Sequence, residues 1–107
     1  MGLLERFLPR IEFDSYEDFK ENYRVNPPEK FNFGFDIVDA WAKEDKEKRA
    51  LVWCDDHGQE KVITFDEMSR LSNQAANYFK SLGLTRDSVV MLIMRRRWEY
   101  WVCATAL

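Results

Sequence analysis

Apolar residues recur at helical spacing in some stretches of this chain and alternate or run together in others, and each rhythm predicts an element. In "DSYEDFKENYR", Tyr16, Phe19 and Tyr23 fall on one helical face, with Asp14 or Ser15 as N-cap and Glu17 or Asp18 three residues on. Asn26-Pro27-Pro28 closes that helix, because proline cannot continue it and pushes the preceding residue toward extended geometry. A surface linker follows. "FNFGFDIVDAWAKEDK" then places Asn32 as a cap, Asp36 and Asp39 toward the positive N-terminal end, and Phe35, Val38 and Trp41 toward a core.

"ALVWC" and "EKVITF" are β-rich runs joined by "DDHG", in which Gly58 supplies positive φ, so a hairpin is predicted. Thr64 with Glu67 forms a capping box ahead of Met68, Leu71, Ala75, Tyr78, Phe79 and Leu82 at helical spacing, and Gly83 suits the left-handed position that ends such a helix. Val89 to Met94 is an unbroken apolar run, the pattern of a strand covered on both faces in a parallel sheet. Trp98, Trp101, Val102 and Leu107, with the small Ala104 and Ala106, read as a helix packing back over that strand, without a C-cap signal. No second buried apolar strand follows, so this pairing reads as the opening of a βαβ unit, and the fold class is α/β. Division of the chain is expected at 1–30, the first helix with its proline-containing linker, and 31–107.

Composition narrows the function. Hydrophobic residues make up 46% of the 107 positions against 33% charged, which suits a packed core rather than disorder. A net charge of -3 gives no global positive field, so nucleic acid is not expected as a partner. No apolar run approaches the roughly 20 residues that cross a bilayer, so no membrane span is expected. The opening "MGLLERFLPRIEF" has too short an apolar stretch for a secretory signal and carries acidic residues that a transit peptide avoids, which points to a cytoplasmic location. Cys54 and Cys103 form no CxxC pattern and read as free, packed thiols.

Candidate chemistry is sparse. Gly2, Gly34, Gly58 and Gly83 are isolated, and neither a P-loop nor a dinucleotide fingerprint can be built from them. His57 beside Asp55 and Asp56 offers an acid/base pair or half a metal site, but aspartates in a turn ordinarily serve the turn's own backbone. Arg95, Arg96 and Arg97 with Trp98, Tyr100 and Trp101 are open to three readings: a solvated or ion-paired loop, a group facing a nucleotide or coenzyme phosphate, or a nucleic-acid platform. Glu99 compensates charge in the first helical turn. The "EDKEKR" run is a solvated helix end, and Phe31, Phe33, Phe35 and Trp41 are expected in a core rather than around a substrate pocket.

The stretch from "FNFGFDIVDAWAKEDKEKRALVWCDDHGQEKVITFDEMSRLSNQAANYFKSLGL" to "VVMLIMRRRWEYWVCATAL" resembles the N-terminal part of AMP-forming acyl-CoA synthetases, in particular their medium-chain and related bacterial branch. The resemblance covers most of the chain but only the opening of a family member, and it rests on the order of many positions rather than on a catalytic signature. It implies the N-terminal portion of the large domain of an acyl-adenylate-forming enzyme: helices, a β-hairpin and the first strand and helix of a parallel-sheet subdomain, with 31–107 as a truncated adenylation segment. It implies a ligase that uses ATP and Mg²⁺ to convert a carboxylic acid to an acyl-adenylate, then passes the acyl group to coenzyme A. The family's phosphate loop, nucleotide contacts, metal-proximal Thr-Glu segment and C-terminal lysine match no position here. No catalytic, cofactor-binding or metal-binding residue is therefore assigned, and the 107 residues alone are expected to be inactive and to need no cofactor. A second expectation is a small α/β interaction module without chemistry. An apolar strand lacking its neighbours also predicts edge-mediated self-association.

Overall fold

Ser15 opens the first helix. In the computed structural model, which describes residues 2–107, its hydroxyl accepts a hydrogen bond from the Asp18 N–H at 3.1 Å, so serine rather than Asp14 is the cap of α1, Tyr16–Asn22. The helix stops at Tyr23, whose backbone is extended (φ -65, ψ 125), ahead of the prolines. A cluster of Phe13, Phe19 and Tyr23 covers one side, with Phe13 edge-on to Phe19 at 5.2 Å. Tyr16, expected on that face, is 71% exposed. These elements belong to the first of two compact units, Met1–Asn32; the second is Phe33–Leu107.

Asp18 organises the first unit electrostatically. Its carboxylate takes both guanidinium nitrogens of Arg10, at 2.8 and 2.6 Å, together with the Asp14 N–H and the Asn22 amide. The Arg10 hydrogen bonds lead in holding its pKa down, from 3.8 to about 2, and the same pairing raises that of Arg10. Because the folded value lies below the unfolded one, this stabilisation is complete above about pH 4 and fades as pH falls through about 2. NMR titration of the Asp18 side-chain carboxyl is expected to show a midpoint near 2, and Arg10→Gln to move it upward toward 3.8. A midpoint at the ordinary carboxylate value in the parent chain would refute the pairing.

The second unit begins with a π-helical segment, Gly34–Asp39, that runs into α2, Ala40–Glu44. The helical backbone already includes Phe33 (φ -56, ψ -43), which makes no side-chain capping bond of its own. A π turn carries more residues than an α turn and rotates the faces that α periodicity predicts. Val38 (2% exposed) and Ala42 are buried, whereas Phe35 turns outward at 68%. Trp41 is half-buried, stacked on Phe65 with ring centres 5.9 Å apart, and the Lys48 ammonium lies 4.5 Å from its ring centre. Phe31 and Phe33 are exposed as well, so of the four aromatics expected in a core only Trp41 is half-buried, against Phe65 at the core's edge.

The hairpin forms as predicted: β1, Arg49–Cys54, pairs antiparallel with β2, Glu60–Thr64. Leu51 opposes Ile63 and Trp53 opposes Lys61, while Val52 opposite Val62 points to solvent. Gly58 has φ +80. Cys54 is exposed at the end of β1, not packed, and Cys103 is half-buried; both are free thiols. Thr64 ends β2 and caps α3, Phe65–Ser81: its side chain accepts from the Glu67 N–H and its own N–H donates to the Glu67 carboxylate at 2.9 Å. Gly83, at φ +88, ends α3 as expected. Met68, Leu71, Ala75 and Phe79 turn toward packing, but Tyr78 and Leu82 are each 60% exposed. The Ser69 hydroxyl donates to Asp39 at 2.6 Å, tying α3 to the π-helical segment.

Val38, Ile63, Met68 and Val102 form the core, with Leu51, Phe65, Leu71 and Trp98 around them. Val102 comes from α4, Glu99–Ala106, which packs on α3. The expectation of a strand buried on both faces at Val89 to Met94 is corrected: these residues form no strand. Val89, Met91 and Ile93 are 97%, 83% and 82% exposed, while Val90, Leu92 and Met94 are more covered. The alternation is that of an extended segment with one face supported; a strand exists only through its neighbours' hydrogen bonds, and none pairs with it among the described residues. No helix of the described residues is long and apolar enough to cross a membrane.

Candidate functional site

Two features that the sequence shows separately, the "DDHG" turn and the arginine run, meet in the second unit. Together they line a cleft of about 810 Å³ whose walls include Trp53, His57, Arg95, Arg96, Arg97 and Trp98. The turn is shaped by Asp55. Its carboxylate accepts the His57 and Gln59 N–H groups at 2.9 and 2.8 Å, and its own N–H donates to the Gln59 carbonyl. Oδ1 of that carboxylate serves the turn's backbone, as the sequence suggests, and among the described residues no hydrogen bond or ion pair joins it to the His57 ring. Among the described residues no group of three or more His, Cys, Asp or Glu could hold a metal ion.

The opposite wall is held by a long-range bond. The indole N–H of Trp53 donates to the Arg96 carbonyl at 2.6 Å, joining positions 43 apart in sequence. Arg96 has φ +41, the only positive value for a non-glycine residue among those described, and such a conformation costs about 1 kcal/mol. The Trp53 bond and the packing of Trp98, with the Lys61 ammonium 4.4 Å from its ring centre, hold the loop in that geometry. Arg97 pairs with Glu99 at 3.2 Å. Burial pushes the Glu99 carboxyl up, but its own backbone N–H, Arg97 and the Lys61 charge outweigh this and hold it below its ordinary value. Its Oε2 is shielded from solvent and has no hydrogen-bond partner among the described residues.

Arg95, Arg96 and His57 are thus brought together with Cys54 and Asp56, and Arg97 is diverted to Glu99. Trp53 is the residue that sequence reading misses. Its place in a strand is legible, but nothing local says that its indole reaches a loop beyond α3.

Residues 38–107, well over half of the chain, match the family of AMP-binding enzymes. The mitochondrial acyl-coenzyme A synthetase ACSM3 of Mus musculus is 32% identical over 100 residues, covering 88% of this chain and 17% of that protein. The mitochondrial ACSM4 synthetase of Homo sapiens is 34% identical over 97 residues (83% of this chain, 17% of the relative), and human ACSM2A is 37% identical over 81 (70% and 14%). This chain therefore spans about a sixth of the length of the relatives it matches. All three relatives are mitochondrial proteins, which overturns the cytoplasmic location expected from the N-terminal composition. A match across 38–107, well over half of the sequence, leaves one assignment: the chain belongs to the AMP-binding enzyme family.

Proposed function

We propose that this chain is scaffold from the N-terminal part of an acyl-CoA synthetase that activates a carboxylic acid of the medium-chain class as its acyl-adenylate and transfers the acyl group to coenzyme A. The match of residues 38–107 to the AMP-binding family carries this reading. A carboxylate is a poor acyl donor because its negative charge repels a nucleophile and oxide is a poor leaving group; attack of the carboxylate on ATP releases pyrophosphate and gives a mixed anhydride from which AMP leaves readily. ATP, Mg²⁺ and coenzyme A belong to that reaction.

On this reading residues 1–30 are an N-terminal helix and proline linker, and 31–107 the opening of the adenylation domain. The extended segment Val89 to Met94, unpaired among the described residues, would become a sheet strand only in the complete domain, where its exposed Val89, Met91 and Ile93 would find cover. The chain contributes packing rather than reacting groups, and its location is that of its relatives, the mitochondrion.

The test is carboxylate-dependent exchange of pyrophosphate into ATP, followed by thioester formation with coenzyme A. The product of the complete reading frame that encodes this segment is expected to catalyse both, with subcellular fractionation placing it in mitochondria. The purified 107-residue chain is expected to catalyse neither. Exchange by the short chain would overturn the scaffold assignment, and absence of thioester from the complete product with every carboxylic acid offered would overturn the synthetase assignment.

A further inference from the structure

The cleft between the Asp55–Gln59 turn and the arginine loop plays no part in the scaffold role, yet it gathers charge that the fold leaves uncommitted. Asp55 accepts the turn's N–H groups through Oδ1 and keeps its negative charge in the lining, and Arg97 is paired with Glu99. Among the described residues Arg95 and Arg96 make no side-chain hydrogen bond or ion pair, and both line the cleft, with His57 also in its wall and Asp56 as the one acidic side chain not occupied by the turn. Two guanidinium groups on consecutive residues offer planar forks of N–H donors to an anion, and the arginine head is weakly hydrated and so cheaply desolvated. One carboxylate would satisfy only one fork. A pair of linked phosphoryl groups presents oxygens to both.

The site is also built in advance of any ligand. Arg96 is held at φ +41 by the Trp53 indole bond to its carbonyl, and backbone strain of this kind gathers at ligand clamps, where surrounding structure fixes the conformation. The cavity of about 810 Å³ lies within the 300–1,000 Å³ that small-molecule sites occupy, and Trp53 and Trp98 give it apolar wall. We propose that this cleft binds a diphosphate-bearing anion, with Arg95 and Arg96 clasping its oxygens and Trp53 acting as a positioning residue for the loop. The proposal rests on the cleft alone and stands or falls separately from the synthetase reading.

The experiment uses the full 107-residue chain and follows the Trp53 indole N–H and the amides of residues 95–98 by NMR during titration with inorganic pyrophosphate at low ionic strength. Saturable shifts are expected, weakening as salt screens the charges. Arg95→Gln and Arg96→Gln are each expected to lower affinity about tenfold, the loss of one charge-assisted fork. Arg86→Gln, outside the cleft, is expected to leave affinity unchanged. Trp53→Phe is expected to weaken binding by several-fold with the arginines still present. Should a glutamine variant fail to fold, Arg95→Lys/Arg96→Lys keeps the charge and loses the fork, and it too must bind more weakly. ADP in place of pyrophosphate separates sources: equal affinity assigns recognition to the phosphates alone, and tighter ADP binding assigns a nucleoside-borne diphosphate. Absence of saturable shifts at millimolar pyrophosphate, or parental affinity in the arginine variants, overturns the site.

Discussion

Replacing Ile63 with alanine is expected to destabilise the second unit by about 3 kcal/mol, within the roughly 2–5 kcal/mol that Ile→Ala costs at closed core positions. Ile63 is 1% exposed, the one large side chain among the described residues that is fully buried. It sits on β2 opposite Leu51 and in one cluster with Val38 of the π-helical segment, Met68 of α3 and Val102 of α4. Four separate elements meet on this side chain, so the void left by its removal cannot be closed by shifting one of them. The buried core has few members, and a loss of this size is a large fraction of the stability expected for a domain of this length, about 0.05–0.15 kcal/mol per residue. All four tryptophans, Trp41, Trp53, Trp98 and Trp101, lie in the same unit, so urea unfolding followed by tryptophan fluorescence reads it directly. Val52→Ala, on the outer face of the hairpin at 63% exposure, is the control and should change stability by about 0.5 kcal/mol or less. Equal effects at the two positions would show that the hairpin does not close the core.

The second large effect belongs to the start of α3. Thr64→Ala is expected to cost about 1–2 kcal/mol, because it strips the acceptor from the Glu67 N–H and leaves a helix donor without its partner. Thr64→Ser keeps the hydroxyl and should recover most of that loss. The reciprocal bond, from the Thr64 N–H to the Glu67 carboxylate at 2.9 Å, makes the two residues interdependent. A double-mutant cycle with Glu67→Ala is therefore expected to return a coupling of about 0.5 kcal/mol or more, where independent sites would add. Strict additivity would mean that the box does not persist in solution. The position matters beyond its own helix: Thr64 ends the strand that carries Ile63, so loosening this cap also releases one wall of the core.

The family of this chain was legible from the order of its residues, and so was much of its local architecture. Which side chains reach the core was less so. Phe35, Tyr78 and Leu82 have the spacing of buried positions and are nonetheless exposed. For Phe35 the reason is the π-helical segment, which changes the residues per turn and so the face presented. For Tyr78 and Leu82 it is the place where packing stops: the core cluster takes Phe65, Met68, Leu71 and Ala75 from α3 and no residue beyond.

The candidate site divides in the same way. The Asp55 turn could be read from sequence, because both bonds to its carboxylate close within four residues. The cleft could not, since it needs Trp53 to reach Arg96 across 43 positions. By itself, then, the sequence determined the Thr64 cap, the hairpin and its turn, and the glycine that ends α3, and it narrowed the first cap to Asp14 or Ser15. Each depends on atoms a few residues apart, and chain connectivity holds such atoms together whatever the rest of the molecule does. Only the tertiary structure decided that α4 packs on α3, that the arginine loop faces the turn, and that Val89 to Met94 lacks strand partners. Those outcomes depend on which distant surfaces exclude water together and which backbone groups find a neighbour, and no local pattern encodes either.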